Sequence, residues 1–222
     1  MKKILFITAF QPSLNMQAGN KTTYEELIKL RKNYEVDLIV VQRKSLFVQE
    51  SIFKKLNRVD FIKLSFYDYP IILVISLIKL IPIRYLTRFT LKLIFLLKNK
   101  DLTKYEFIHL DYTQVFWLTL ILPKKAVIKL FCSDILTQFA SRHNIFNKLL
   151  LGRFFHYEKL FFSRANEIIV LCKKDFNIVE CFFGIEEKKI SITPPAISNF
   201  VYDFKRDTSL VEEKTLLFWG SM

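Results

Sequence analysis

The chain has 222 residues, is 51% hydrophobic and contains only 4 glycines and 6 prolines. This composition excludes a disordered, collagen-like or low-complexity protein and is typical of a globular chain with one or two domains. The formal net charge of +13 is unevenly placed, because residues 1–100 carry 18 basic and only 7 acidic side chains.

Strand signals alternate with helix signals along most of the chain. Seven short β-rich runs predict strands at residues 3–10, 36–42, 61–66, 107–112, 126–132, 167–172 and 190–195. Residues 21–32 have apolar side chains at helical spacing, and we expect Glu25 and Glu26 in the first turn, where the helix dipole favours acids. This alternation predicts an α/β fold with a doubly wound, mainly parallel Rossmann-like sheet that binds ligands at the carboxyl ends of its strands.

The chain ends and the cysteines support a cytoplasmic protein. The first eight residues, "MKKILFIT", have a short apolar run and no cleavage site, so they predict a strand rather than a signal peptide. Cys132, Cys172 and Cys181 have no CxxC spacing, which predicts buried thiols in a reducing compartment. The three histidines are scattered, and neither a DxD pair nor a metal-ligand spacing is present, so we expect no metal.

Residues 70–100 contain six basic side chains and no acidic one. The apolar run at 71–83 is too short for a membrane-spanning helix, for which about 20 residues are needed, and predicts a core or interfacial helix. A helical wheel over 84–99 places Arg84, Arg88 and Lys92 on one side, with Leu91 and Phe95 among them. This stripe predicts binding to an anionic membrane, and the alternative is an ordinary surface helix packed against the sheet.

Five segments in their order along the chain resemble the N-terminal half of GT-B fold glycosyltransferases, in particular glycosyltransferase family 4. They are the opening strand, loop and helix at 3–30, the segment "IPIRYL…DYTQ" at 81–114, "YEKLFFSRANEIIVLCKKDFNIV" at 157–179, "KKISITPPAIS" at 188–198 and "LLFWGSM" at 216–222. The resemblance covers nearly the whole chain but about half of such an enzyme. It implies an acceptor-side domain at 1–198, a linker at 199–214 and, at 215–222, the first strand of a second domain.

The resemblance implies transfer of a sugar, with retention, from a nucleotide-sugar donor and without a cofactor. The leading hypothesis is that the acceptor is a lipid-linked or cell-surface polysaccharide precursor at the cytoplasmic face of a membrane, and its membrane part is motivated by residues 70–100. The groups that grip the nucleotide sugar belong to the absent second domain, so we expect the chain alone to be inactive. The alternative is a truncated binding or regulatory module that needs a separate C-terminal half.

The resemblance directs attention to the loop before the first helix and to the end of the fifth strand. Gly19 and Asn20 stand where the family has two glycines, and we expect Asn20 to tolerate a left-handed backbone beside a phosphate or sugar. The alternative for Gly19 is a simple turn before a helix. Asp134, after Cys132 and Ser133, matches the family's His or Asp ending and is the candidate catalytic residue, while its alternative role is a helix cap.

Asp111 and Tyr112 come directly after "FIHL" at the end of the fourth predicted strand, at the same edge of the sheet. They are candidates for acceptor or donor contacts, with Asp111 as an ordinary loop residue the alternative. His109 is predicted to be a satisfied core histidine, and Arg153 and Glu158 are interpreted as scaffold. Nucleic acid binding is not expected, because no recognition module interleaves basic and aromatic residues and the net charge follows partly from a Lys-, Ile- and Phe-rich composition.

Overall fold

Seven parallel strands form one open sheet. The computed structural model describes residues 1–14, 16, 18–42, 51–142 and 148–194. The strands are β1 (Lys2–Thr8), β2 (Tyr34–Gln42), β3 (Arg58–Lys63), β4 (Phe107–Asp111), β5 (Ile128–Cys132), β6 (Glu167–Val170) and β7 (Ile190–Ile192). Every neighbouring pair is parallel, and the spatial order is β3-β2-β1-β4-β5-β6-β7.

Helices and short helical turns connect the strands. The helices in the described residues are α1 (Ala18–Arg31), α2 (Asp68–Lys79), α3 (Ile83–Leu86), α4 (Leu91–Lys98), α5 (Leu136–Arg142), α6 (Leu151–Arg164) and α7 (Lys173–Asn177). Shorter 3₁₀ segments lie at Ser51–Lys55, Leu102–Lys104, Thr113–Leu120 and Glu187–Lys189, and a π-helical turn lies at Ile178–Phe182.

Both faces of the sheet are buried. On β1, Ile4 and Phe6 belong to a smaller apolar cluster that includes Leu27 of α1. Leu5 and Ile7 of the same strand belong to a larger cluster packed with α2 to α7. Strands covered on both faces have continuous apolar runs, which is why β1 reads "ILFI" rather than as an alternating pattern. The predicted α/β class and doubly wound parallel sheet are therefore confirmed.

Two local predictions, the bounds of the third strand and the acids in the first turn of the first helix, are wrong. The third strand is Arg58–Lys63 rather than 61–66, because its parallel ladder pairs Arg58 with Asp37 at one end of β3. Helix α1 begins at Ala18, so Glu25 and Glu26 lie beyond the first turn, which contains no acid. Sequence periodicity locates an element well but locates its ends poorly.

The prediction of a single helix over residues 84–99 is also wrong. Residues 87–90 separate α3 from α4, and Thr90 in extended backbone caps α4 by accepting a hydrogen bond from the Lys92 N–H at 3.3 Å. The predicted stripe is therefore divided between two helices. In the described part of the chain, no helix has both the length and the apolar character needed to cross a membrane.

The cysteines are free, and only Cys132 is buried. Cys172 and Cys181 are exposed, because one follows β6 at the edge of the sheet and the other lies in the Ile178–Phe182 turn. The prediction of buried thiols is wrong for these two. The predicted linker at 199–214 and the predicted strand at 215–222 lie outside the described residues and stay predictions.

Candidate active site at the carboxyl edge of the sheet

The predicted site residues lie at the edge where the strands end. The strand order reverses between β1 and β4, so the connections after these two strands run to opposite faces. In doubly wound sheets, ligands bind in the crevice outside this point. Asp111 ends β4, while Ser133 and Asp134 follow Cys132 at the end of the adjacent β5.

Asp111 is a buried carboxylate that joins three elements. Its Oδ2 accepts hydrogen bonds from Thr8 Oγ1 at 2.9 Å and from Thr23 Oγ1 at 2.7 Å. Its Oδ1 is buried and has no hydrogen-bond partner among the described residues. Burial raises the pKa of Asp111 to about 7, although the two threonine hydroxyls partly oppose this shift. With its side chain enclosed, Asp111 holds β1, β4 and α1 together beneath the site.

Tyr112 explains the requirement for glycine at position 19. A Cβ built on Gly19 would lie 2.3 Å from Tyr112 Oη, far inside van der Waals contact. Tyr112 has a φ of 75°, a backbone conformation that costs a non-glycine residue about 1–3 kcal/mol. Its ring also packs edge-on against Phe10, with 4.7 Å between ring centroids. In this structure Gly19 therefore admits a buried tyrosine.

Asn20 holds the loop that precedes α1. Its Nδ2 donates to the Gln11 carbonyl at 2.8 Å, and its own carbonyl accepts from the Ser13 N–H at 3.1 Å. The residue lies within α1 and has no left-handed backbone, so that expectation is wrong. The buried side-chain amide and the carbonyl of Asn20 fix this loop by hydrogen bonds, whereas a second glycine at this position would leave it flexible.

A polar cleft of about 510 Å³ opens beside Asp134. We call it the Asp134 cleft, and its lining includes Arg84, Gln114, Ser133, Asp134, Gln138, Phe139, Arg142 and Asp175. Gln114 Oε1 and Ser133 Oγ are buried without a hydrogen-bond partner within the described ranges. Unpaired buried polar atoms are costly, so these two atoms are candidate hydrogen-bonding positions for a polar ligand.

Charges of both signs surround the Asp134 cleft. Burial raises the pKa of Asp134, and the negative charge of Asp175 raises it further. Asp175 accepts from Gln138 Nε2 at 3.3 Å and from Cys172 Sγ at 3.2 Å. The Arg84 guanidinium lies 3.6 Å from the centre of the Phe139 ring, which fixes this cation at the wall of the cleft. The arrangement offers a polar ligand both cationic groups and hydrogen-bond acceptors.

Glu158 supports the floor of the cleft and was missed as a site residue. Its Oε1 and Oε2 accept from the Leu136 N–H at 2.6 Å and the Thr137 N–H at 3.0 Å, at the start of α5. The carboxylate is fully buried, and burial raises its pKa to about 7. Because Glu158 binds these first N–H groups, the cap that α5 receives comes from α6 rather than from Asp134. Its sequence signal is an acid between Phe154 and Phe162 on a buried helical face.

Two other expectations need correction. His109 is buried and stacks on Phe6 with 4.5 Å between centroids, but both ring nitrogens lack a partner in the part of the chain that is described. It is therefore a core histidine that is not satisfied, and burial lowers its pKa to about 3. Arg88 is buried, and its Nε donates to the Ala9 carbonyl at 2.9 Å, so it supports the end of β1 instead of facing outward.

The remaining stripe residues are exposed. Leu91, Lys92 and Phe95 lie on α4, whereas Arg84 on α3 lines the Asp134 cleft.

A second cavity, of about 500 Å³, lies at the opposite edge of the sheet and is lined mainly by apolar side chains such as Leu97, Leu122 and Pro123. That cavity adjoins the segments that lead into β4 and β5. In the described residues, no group of His, Cys, Asp and Glu side chains is arranged to hold a metal ion.

Comparisons with known proteins concern the fold of the chain. No protein-family model and no curated protein matches it. Among solved structures, UGT71G1 of Medicago truncatula complexed with UDP-glucose is 15% identical with a TM-score of 0.49 over 87% of this chain. UGT2 of Phytolacca americana is similar at 8% identity and a TM-score of 0.42 over 90% of this chain in its apo form. The structure of the same protein complexed with UDP-2fluoro-glucose and pterostilbene is 11% identical, with a TM-score of 0.41 over 86% of this chain. This chain spans 52% to 54% of the length of these structures.

Proposed function

We propose that this chain is the acceptor-side part of a family 4-like GT-B glycosyltransferase. The proposed reaction moves a sugar from a nucleotide-sugar donor to a saccharide or lipid-linked acceptor of polysaccharide synthesis, with retention at the anomeric carbon. The observation that carries the proposal is the Asp134 cleft, a polar pocket at the carboxyl edge of a parallel sheet. The order of the five resembling segments along the chain supports it.

The residues of the cleft have distinct proposed roles. Asp134 hydrogen-bonds a sugar hydroxyl or stabilises the positive charge that develops at the anomeric carbon. Ser133 Oγ and Gln114 Oε1 bind hydroxyl groups of the acceptor, since both atoms are buried and unpaired among the described residues. Arg84 and Arg142 balance the negative charge of a phosphate, for which guanidinium groups are well suited.

Asp111, Tyr112, Gly19 and Asn20 are proposed to act indirectly. They hold the ends of β1 and β4 and the loop before α1 in place, through the hydrogen bonds of Asp111 Oδ2 and Asn20 Nδ2 and the contact between Gly19 and Tyr112. In this proposal they position the wall of the binding crevice, and a ligand contacts the backbone and side chains around them. The proposed location is the cytoplasm, at the inner face of the cytoplasmic membrane.

The second candidate function is a non-enzymatic module that binds an acceptor but transfers nothing. It is favoured by the resemblance, which assigns the donor-gripping groups to the second domain of such enzymes and not to the part that residues 1–198 resemble. In both cases, sugar transfer needs a second polypeptide or further sequence. Residues 199–214 as a linker and 215–222 as the first strand of that domain belong to the same proposal.

A transfer assay tests the proposed function. The 222-residue chain is assayed with labelled nucleotide sugars and a lipid extract, alone and together with the polypeptide encoded directly downstream. Transfer is expected only in the combined sample, and Asp134→Asn is expected to lower kcat/KM by about 100-fold. Asp101→Asn is the matched control, because Asp101 is an exposed carboxylate paired with Lys104, far from the cleft in the Leu102–Lys104 turn.

The outcomes separate the two functions. Full transfer by Asp134→Asn in the combined sample would contradict the role of the cleft. Acceptor binding without transfer in the combined sample would favour the non-enzymatic module. Transfer by the chain alone would contradict the need for a second half.

A further inference from the structure

Helix α2 carries an apolar surface that the fold leaves uncovered. Leu73 and Val74 are 51% and 52% exposed, and Leu77 and Ile78 are 74% and 72% exposed. Phe66 and Tyr67 precede the helix and Leu80 follows it, and all three are exposed as well. Single exposed apolar residues are normal in proteins, but a continuous group of this size marks an interaction surface.

The other side of α2 is already fixed to the fold. Ile72 is buried in the larger core cluster, and Ser76 Oγ donates to the Ile81 carbonyl at 2.7 Å. The Tyr157 hydroxyl of α6 donates to the Lys79 carbonyl at the end of the helix. At the helix start, Asp68 accepts from the Ser65 N–H and the Leu91 N–H, which ties α2 to α4. Since α2 is held from this side, its exposed face is a stable surface of the folded protein.

The exposed charges on the segment that carries this surface, residues 61–100, are of one sign. Residues 61–100 contain a single acid, Asp68, and its side chain is buried. Five basic residues in the same interval are exposed, namely Lys63, Lys79, Arg84, Lys92 and Lys98. An apolar surface on a segment whose exposed charges are all cationic is complementary to an anionic surface that also accepts apolar side chains.

We propose that the exposed face of α2 docks on an anionic phospholipid bilayer, with Leu77 and Ile78 inserted at the depth of the headgroups. The helix has 12 residues and a length of about 18 Å, too short to cross the hydrocarbon core, so it lies in the plane of the membrane. Phe66 and Tyr67 at its start suit the interface, where aromatic side chains concentrate. A second copy of the chain is a poorer occupant, because a symmetric contact would bring together two segments whose exposed charges are all cationic.

The docking surface adjoins the Asp134 cleft. Residues 80–82 connect α2 directly to α3, and Arg84 of α3 lines the cleft. Docking by α2 thus brings the cleft close to the bilayer, where a lipid-linked acceptor is anchored. This consequence rests on the proposed function, whereas lipid binding by α2 does not and is measured without any sugar transfer.

Vesicle flotation tests the proposal. The 222-residue chain is mixed with phosphatidylcholine vesicles that contain about 30% phosphatidylglycerol, or none, at low and high salt. Leu77→Glu/Ile78→Glu is compared with Leu149→Glu/Phe182→Glu, a matched pair that changes two exposed apolar residues elsewhere to the same charge. All four positions are exposed, so unchanged thermal unfolding confirms that each variant is folded.

The wild type is expected to float with the anionic vesicles, more weakly at high salt and with neutral vesicles. The Leu77→Glu/Ile78→Glu variant is expected to lose at least about tenfold in affinity for the vesicles, because two apolar side chains no longer enter the membrane. The affinity of the control pair is expected to change little. The proposal is overturned if the wild type does not bind anionic vesicles or if both variants bind equally well. A dimer that only Leu77→Glu/Ile78→Glu dissociates, without vesicle binding by the wild type, would overturn it in favour of a second copy.

Discussion

Gly19 lies directly against the hydroxyl group of Tyr112, so that a Cβ at position 19 would be only 2.3 Å from Tyr112 Oη. The two residues are far apart in sequence, and they meet because β1 and β4 are neighbours in the sheet and α1 begins beside the carboxyl end of β4. This contact places the start of α1 relative to the edge that carries the candidate site.

Gly19→Ala should lower the free energy of unfolding by about 2 kcal/mol, because an overpacked site costs about 1–3 kcal/mol and alanine recovers part of this through its helix propensity. In a Tyr112→Phe background the nearest remaining atom is Tyr112 Cζ at 3.3 Å, so the cost of Gly19→Ala should fall below about 1 kcal/mol. Urea denaturation of the four proteins of this cycle measures both values. Equal costs in the two backgrounds would show that the Tyr112 hydroxyl is not the obstacle.

Asp111→Asn should stabilise the protein at alkaline pH. The pKa of Asp111 is raised by burial from 3.8 to about 7, so the unfolded chain loses its proton at a lower pH than the folded chain. Stability from this group is therefore lost as pH rises from about 4 to about 7, at about 1.4 kcal/mol per pH unit. Asparagine keeps an acceptor for Thr8 and Thr23 without the charge, and it should add about 2 kcal/mol at pH 8 and little at pH 4.

Unfolding midpoints measured between pH 4 and pH 8 test this difference. The control is Asp101→Asn, whose exposed carboxylate should give no gain at alkaline pH. A gain for Asp111→Asn that is the same at both ends of the pH range would contradict the role of ionisation.

Glu158→Ala should be strongly destabilising, by about 3 kcal/mol, because it leaves the buried N–H groups of Leu136 and Thr137 unpaired and opens a cavity. Glu158→Gln should cost less, since one acceptor oxygen remains. Denaturant unfolding gives the costs, and amide hydrogen exchange at Leu136 and Thr137 shows whether the start of α5 has opened. Protection that is unchanged in Glu158→Ala would mean that another group satisfies this helix end.

Asp37 should show the opposite pH behaviour to Asp111. Burial raises the pKa of Asp37, but hydrogen bonds from Tyr105 and Asn57 and the charges of Lys3 and Lys100 outweigh burial, and the net pKa is lowered. The stability it provides is present above its ordinary pKa of 3.8 and is lost as pH falls through the lowered value. Asp37→Asn should therefore cost about 2 kcal/mol at neutral pH and less in acid.

Thermal and urea unfolding of the wild type and of Asp37→Asn, measured at neutral and at acidic pH, give the stability lost at each pH. Glu106→Gln is the control, because the Lys2–Glu106 pair is exposed and its removal should change stability little. A cost for Asp37→Asn that grows in acid would contradict the assignment.

The sequence predicts the sheet because each strand is encoded within a few consecutive residues. Runs such as "ILFI" in β1 and "LIVV" in β2 are apolar throughout, which is typical of strands covered on both faces, and helical spacing separates them. The ends of the elements are decided by pairing with neighbours, as at Arg58, whose partner Asp37 lies on another strand. Whether a segment forms a strand or a helix can therefore be predicted from its own residues, whereas the pairing register of a strand cannot.

The candidate site shows the same division. The sequence by itself determined that Ser133, Asp134 and Asp111 stand at the carboxyl ends of strands, because those strands are local apolar runs. Only the tertiary structure decided that Asp111 is enclosed by two threonines, and that Glu158 from α6 caps the helix beside Asp134. It also decided that Arg88 is buried under β1 while Arg84 lines the cleft, because the chain breaks between α3 and α4. The physical reason is that burial and hydrogen bonding depend on groups brought together by packing, which no periodicity along one segment encodes.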